Sequence, residues 1–221
     1  MSVTCTELVK ECVTPAETVR ALDGVTIEVA PGDFVALEGA SGSGKTTLLS
    51  LIAGLDAPTS GSVQVDAHAM SQINSNARAR VRLESIGVIF QDNNLIDEFS
   101  ILENVLVPLQ ALGMTPHVAR QAALEALARM GILELQDRRP RDVSGGQRQR
   151  AGIARAIAGP RRLLLADEPT GALDSENSKS LFGAMADLAS HGTTIIIATH
   201  DPLIEGFARK VIRLRDGRVE S

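Results

Sequence analysis

The 221-residue chain contains neither tryptophan nor tyrosine, and its five phenylalanines all lie at position 34 or beyond. The first 33 residues therefore offer no ring on which a planar ligand could stack. Cysteine is scarce as well. Cys5 and Cys12 are the only two, and His68, His117, His191 and His200 are scattered along the chain. Neither a disulfide scaffold nor a zinc site is indicated, and the chain reads as intracellular. No apolar run approaches the roughly 18 residues of a membrane span. Met1 to Lys10 also lacks the basic start and apolar stretch of a leader, so any work at a membrane is expected to pass through a partner chain. Basic excess is absent: 22 Lys and Arg against 27 Asp and Glu leave a net charge of −5 and a pI near 5.4, which argues against a nucleic-acid-binding face. There is no internal repeat, and Asp216 to Ser221 is expected to leave no room for an appended C-terminal domain. What remains, 44% hydrophobic and 22% charged, is ordinary globular composition with enough length for one sizeable core or two small ones.

The stretch that organises the chain is Gly39-Ala40-Ser41-Gly42-Ser43-Gly44-Lys45-Thr46-Thr47, preceded by the β-prone Phe34-Val-Ala-Leu-Glu38 and followed by the helix-prone Leu48 to Ala53. A strand, a glycine turn and a helix in this order are the context that the G-x-x-x-x-G-K-[ST] pattern requires. The glycines let successive N–H groups converge on phosphate oxygens at the positive end of the following helix. Lys45 is expected to reach the terminal phosphates and the Thr46 hydroxyl to ligate Mg²⁺. A chance Gly/Ser loop carrying a lysine would account for the residues but not for their flanks.

Around this P-loop, Thr18 to Val35 reads as short antiparallel strands with turns at Asp23-Gly24 and Pro31-Gly32, and Ser62 to Asp66 as an alternating strand. Together they predict a small β layer. Residues 68 to 84 read as a loop and a surface helix. From Asp92 to about Pro160 the text is mostly helical, with apolar residues at three- and four-residue spacing over Ile101 to Leu112, Pro116 to Met130 and Gly146 to Ala158. Strand character marks Ile86 to Phe90, Leu163 to Ala166 and Thr194 to Ala198, with a helical stretch from Glu176 to Ser190. This alternation predicts an α/β fold with a mainly parallel sheet. Residues 1–91 and 160–221 are expected to form the core with its β layer, and 92–159 an inserted helical subdomain.

Four apolar strands would each deliver a residue type that phosphate chemistry uses: Gly39, Gln91, the Asp167-Glu168 pair and His200. Ligands of open parallel sheets bind beyond the carboxyl ends of the strands, so these groups would converge on one crevice. Asp167 is suited to Mg²⁺, which takes few carboxylates. Glu168, pointing away from Asp167 if both lie on a strand, would orient and deprotonate the attacking water. A helix N-cap or a solvated turn is the plainer reading of such a pair, and a satisfied strand-end histidine that of His200; the P-loop favours a catalytic pair and a γ-phosphate contact. Gln91 has one acceptor for Mg²⁺ or water and two donors. Ser144 is a plausible N-cap for the helix that follows, yet Gly145-Gly146-Gln147 would also expose N–H groups to an anion. If that second helix start lies apart from the P-loop, it would serve a nucleotide held by another copy.

Gly39 to Thr46, Gln91, Ser144 to Gln147, Leu163 to Glu168, Gly171-Ala-Leu-Asp174 and His200, in this order and spacing, resemble the motif set of ATP-binding cassette ATPases: Walker A, Q-loop, signature, Walker B, D-loop and H-loop. The resemblance spans essentially the whole chain. Leu164 to Ser175, Glu103 to Leu109 and Ile86 to Leu95 resemble in particular the macrolide-exporter, lipoprotein-releasing and cell-division ATPases. It implies a P-loop NTPase with a RecA-like core, an antiparallel β subdomain and a helical subdomain. Two cassettes are implied to close head to tail around two ATP molecules with Mg²⁺, each Ser144 to Gln147 segment and Asp174 completing the other's site. A permease is implied to meet the chain near Gln91 to Ser100, placing it at the inner face of the cell membrane. The alternative within the same resemblance is a regulatory ATPase driving a cell-wall hydrolase through a membrane partner. A repair or translation cassette would usually carry a coiled-coil insertion or a fused second cassette, and a non-hydrolysing sensor would not keep Glu168 and His200.

Three positions depart from the family pattern. Val143 replaces the usual leucine before Ser144, and Gly171 stands where asparagine or serine is common. The aromatic that usually stacks on adenine is missing, its position falling near Cys12 with Val13 and Val19 as apolar neighbours. Weak ATP binding and poor discrimination among purine triphosphates are expected, unless Arg20 or a partner covers the base.

Overall fold

Long alternating stretches at the start of the chain build the first layer. In the computed structural model, which describes residues 1–13, 17–171 and 173–220, β1 (Val3–Val13) and β2 (Thr18–Val29) pair antiparallel. After β3 (Phe34–Glu38) and α1 (Lys45–Ile52), β4 (Ser60–Val65) and β5 (His68–Ala69) complete a four-stranded sheet in the order β2-β1-β4-β5. Sequence pattern misses β1 because bulges interrupt its alternation. Asp23-Gly24, expected as a turn, lies within β2; Glu7 on β1 and Gly24 on β2 both carry positive φ.

α2 (Ser75–Ser85) is N-capped by Asn74, whose side chain accepts from the Ala77 amide, and leads into β6 (Ile86–Ile89). Three helices follow: α3 (Ile101–Ala111), α4 (Pro116–Arg129) and α5 (Gly145–Ile157). α3 and α5 each begin with a capping box, Ser100 with Glu103 and Ser144 with Gln147, which satisfies first-turn N–H groups reciprocally. The chain then passes through β7 (Leu163–Asp167), α6 (Ser175–Ser190) and β8 (Thr194–Ala198), and ends with β9 (Lys210–Arg215) and β10 (Arg218–Val219).

The six-stranded sheet runs β10-β9-β3-β8-β7-β6, with β9, β3, β8, β7 and β6 parallel. Strands β3, β6, β7 and β8 are apolar on both faces, as the covered part of a parallel sheet requires. Phe34 and Ala36 join a core that continues through Ile89, Leu164 and Ile195 into α3, α4, α5 and α6. Val35 and Leu37 face the other way, into a core shared with α1, β1, β2 and β4. The helical segment therefore buries its apolar face on the same core as α6 and the sheet.

Candidate functional site

The P-loop takes its shape from close backbone approaches. Gly44, the N-cap of α1, has φ 105° and no room for a Cβ, which would sit 2.6 Å from the Ala21 carbonyl oxygen. Ala21 is left without a partner by the register shift between Lys10 and Glu11, so a bulge in β2 props the loop from below. No acidic residue occupies the first turn of α1, which leaves its N–H groups and positive dipole end for an anion. Lys45 is buried, its Nζ donating to the carbonyls of Gly39 at 2.6 Å and Ala40 at 3.1 Å. The Ser43 hydroxyl is buried without a partner.

These residues line a cavity of about 540 Å³ formed by Gly39 through Thr47 together with Ala21, Gln91, Asp167, Glu168, Gly171 and His200. Residues from the ends of β3, β6, β7 and β8 meet there. The Asp167 carboxyl is raised above its ordinary value, chiefly by burial, and the neighbouring Thr46 hydroxyl partly offsets the rise. A hydroxyl, a carboxylate and the amide of Gln91 are hard oxygen donors of the kind Mg²⁺ prefers; among the described residues no group of three or more His, Cys, Asp and Glu is arranged for a softer metal.

Glu168 is not part of a strand. It follows β7 with φ 46°, donates its amide to the Ala198 carbonyl at 2.8 Å and accepts from the Gly171 amide at 3.1 Å. Its separation from Asp167 therefore comes from a left-handed turn, not from strand alternation as the sequence suggests. Its carboxylate lies 2.9 Å from Nδ1 of His200.

Ser144, Gly145, Gly146, Gln147 and Asp174 do not line this cavity. The Ser144 side chain accepts from the Gln147 amide, and Asp174 N-caps α6 by accepting from the Asn177 amide. Ala172 of the D-loop segment lies outside the described residues. Gly171, at the start of the D-loop run, and Ala21 also line the cavity; a turn places the first, and a bulge with no sequence signature places the second. At the base end, Cys12 and Val19 face each other across the strand pair and are exposed. Arg20 is engaged by Glu11 at 2.9 Å and Asp23 at 3.0 Å rather than free to cover a base.

A P-loop at the carboxyl edge of a parallel sheet, facing Asp167, Glu168 and His200, defines a P-loop nucleoside triphosphatase. Residues 22–171 match the ABC transporter model, and the chain belongs to the ABC transporter family as an ATP-binding cassette ATPase. It is 44% identical over 205 residues to a macrolide export ATP-binding/permease protein MacB of Syntrophobacter fumaroxidans, covering 91% of this chain and 29% of that protein. A MacB 1/2 protein of Paracoccus denitrificans is 40% identical over 200 residues, 90% of this chain and 30% of the relative. The chain thus spans about a third of the length of the curated relatives it matches. The dimeric post-hydrolysis structure of the ATP-binding cassette MJ0796 bound to ADP and Pi superimposes with a TM-score of 0.94 at 35% identity, covering 99% of this chain and 97% of that one.

Proposed function

We propose that the chain hydrolyses Mg-ATP to power an export-type membrane transporter through a separate permease, two copies closing head to tail around two nucleotides. The convergence of the P-loop, Gln91, Asp167, Glu168 and His200 in one cavity, with Ser144 to Gln147 outside it, carries this reading.

In each site Lys45 and the loop amides hold the phosphates, and Thr46, Asp167 and Gln91 hold Mg²⁺, which when bound supplies charge neutralisation on the phosphoryl group. Glu168 takes the proton of the attacking water. His200 donates Nδ1–H to the Glu168 carboxylate, since a carboxylate can only accept. Ser144 to Gln147 and Asp174 of a second copy close the site. Residues 92–159 form the helical subdomain that carries this closing surface.

The permease meets the chain at a groove of about 460 Å³ beside the Gln91 to Ser100 segment, lined by Leu55, Leu83, Val88, Phe90, Val107 and three arginines. Arg82 donates to the carbonyls of Ala53 and Gly54, Arg155 to those of Asn93 and Asn94, and Arg161 to those of Arg155, Ala156 and Ala158. Among the described residues none of the three has a carboxylate partner, and burial lowers each guanidinium from its ordinary value, Arg161 to about 10. An amphipathic segment bearing a carboxylate fits an apolar groove with uncompensated cations. No helix among the described residues is long and apolar enough to cross a membrane.

Steady-state hydrolysis and sedimentation of the wild-type chain and of Glu168→Gln test the reading. Mg-dependent turnover in the former and an ATP-bound dimer in the latter are expected; a monomer in both with no turnover overturns it.

A further inference from the structure

The helix that starts at Ser144 is joined to the segment behind Glu168 by two contacts one turn apart. Gly146 and Arg150 are four residues apart on α5 and share a face. At the first, a Cβ on Gly146 would lie 2.9 Å from Cδ2 of Leu173, so Leu173 packs directly on the helix backbone. This gives the second glycine of the Ser-Gly-Gly-Gln run a packing role within its own chain.

At the second, Arg150 donates from Nη2 to the Asn177 side-chain oxygen at 2.9 Å and from Nη1 to the Met130 carbonyl at 3.1 Å. The other end of the Asn177 amide donates to both carboxylate oxygens of Asp174, at 3.0 and 2.9 Å, while the Asn177 backbone amide adds a third bond at 2.8 Å. A donor-only guanidinium on one side and an acceptor-only carboxylate on the other orient the amide uniquely. The relay therefore runs Arg150 to Asn177 to Asp174, and Asp174 lies six residues beyond Glu168.

The Leu173 contact is made by the end of a flexible side chain and can yield, so the hydrogen-bonded relay is the stiffer of the two. A charge-assisted hydrogen bond loses strength within a few tenths of an ångström, so a shift of α5 must either move the 174–177 segment or break it.

We propose that Arg150 and Asn177 are positioning residues that tie the Ser144 to Gln147 helix start to the Glu168 to Asp174 segment, so that a nucleotide of the second copy seated on that helix start sets the geometry of this chain's own Glu168. The proposal rests on the head-to-tail dimer reading above. It makes the two sites of the dimer communicate within each chain as well as across the interface.

The test measures ATP hydrolysis against ATP concentration for the wild-type chain, Arg150→Met, Arg150→Lys, Asn177→Leu and the Arg150→Met/Asn177→Leu double variant, with thermal melting of each. Wild-type hydrolysis is expected to be cooperative. Arg150→Met should lower kcat at least tenfold with KM changed less than threefold, and bring the Hill coefficient toward 1. Arg150→Lys, which keeps one donor, should recover part of both. The double variant should be no worse than the more impaired single one, because both remove the same link. A folded Arg150→Met chain with wild-type kcat and Hill coefficient overturns the proposal and leaves the dimer reading standing, as does a double variant in which the losses multiply. Hydrolysis by the wild type without cooperativity and without dimer formation removes both.

Discussion

Glu168 and His200 meet across the ends of two adjacent parallel strands, Oε2 to Nδ1 at 2.9 Å, although 32 residues separate them in the chain. The alignment of Asp167 with Ala198 in the β7–β8 register brings the two positions side by side. Glu168 is mostly buried and His200 largely exposed, so the histidine can swing toward a phosphate while the carboxylate stays in place.

Replacing Glu168 with glutamine keeps its size and removes its basicity. Turnover is expected to fall at least 100-fold, the scale of a general base, with ATP affinity preserved; near-normal steady-state hydrolysis removes the assignment. Because Glu168 sits at φ 46°, where a side chain costs roughly 1–2 kcal/mol, Glu168→Gly should be inactive yet melt no lower than the wild type.

The base end lacks a stacking ring, and Arg20 is already held by Glu11 and Asp23. Titrations of ATP and GTP under one set of conditions should give dissociation constants within about fivefold of each other, since base stacking worth roughly 1–3 kcal/mol is missing. Cys12→Tyr should tighten ATP binding at least fivefold. Sub-micromolar, strongly ATP-selective binding by the wild type would contradict this.

Burial holds the Asp167 carboxyl above its ordinary value. The folded chain then binds more protons than the unfolded one, so its stability falls as pH rises from about 4 through the raised folded value and stays lower above it. Asp167→Asn, melted without nucleotide or Mg²⁺, should be more stable than the wild type at pH 7 and converge with it toward pH 4. The same variant should lose Mg-dependent nucleotide binding; a lower melting temperature at pH 7 would refute the trade between stability and function.

At the arginine-lined groove, Arg82→Glu inverts one of three cations that have no carboxylate partner among the described residues. Retention of the chain on its purified permease should fall at least tenfold, while the melting shift produced by Mg-ATP persists. Unchanged retention would place the permease elsewhere.

Much of this molecule is legible in order along the chain. The P-loop, the helices over Ile101–Ala111 and Pro116–Arg129, and strands β3, β6, β7 and β8 follow from local periodicity and turn chemistry. β1, β9 and β10 do not, because bulges break the first, charged residues stand between the apolar ones of the second, and the third is a two-residue edge strand. The family match and the overall likeness to the MJ0796 cassette agree with the α/β fold and ATPase reading drawn from motif order.

The sequence by itself determined that a triphosphate is held, that strand ends supply the polar groups around it, and that no aromatic precedes Phe34, because these depend on residue type and short-range spacing. Tertiary structure alone decided that Glu168 leaves β7 through a left-handed turn to reach His200. It also decided that a β2 bulge presses Ala21 against Gly44, and that Arg150 reaches Asp174 through Asn177. Those relationships depend on strand register and helix packing, which join residues distant in the chain and leave no periodic trace within either segment.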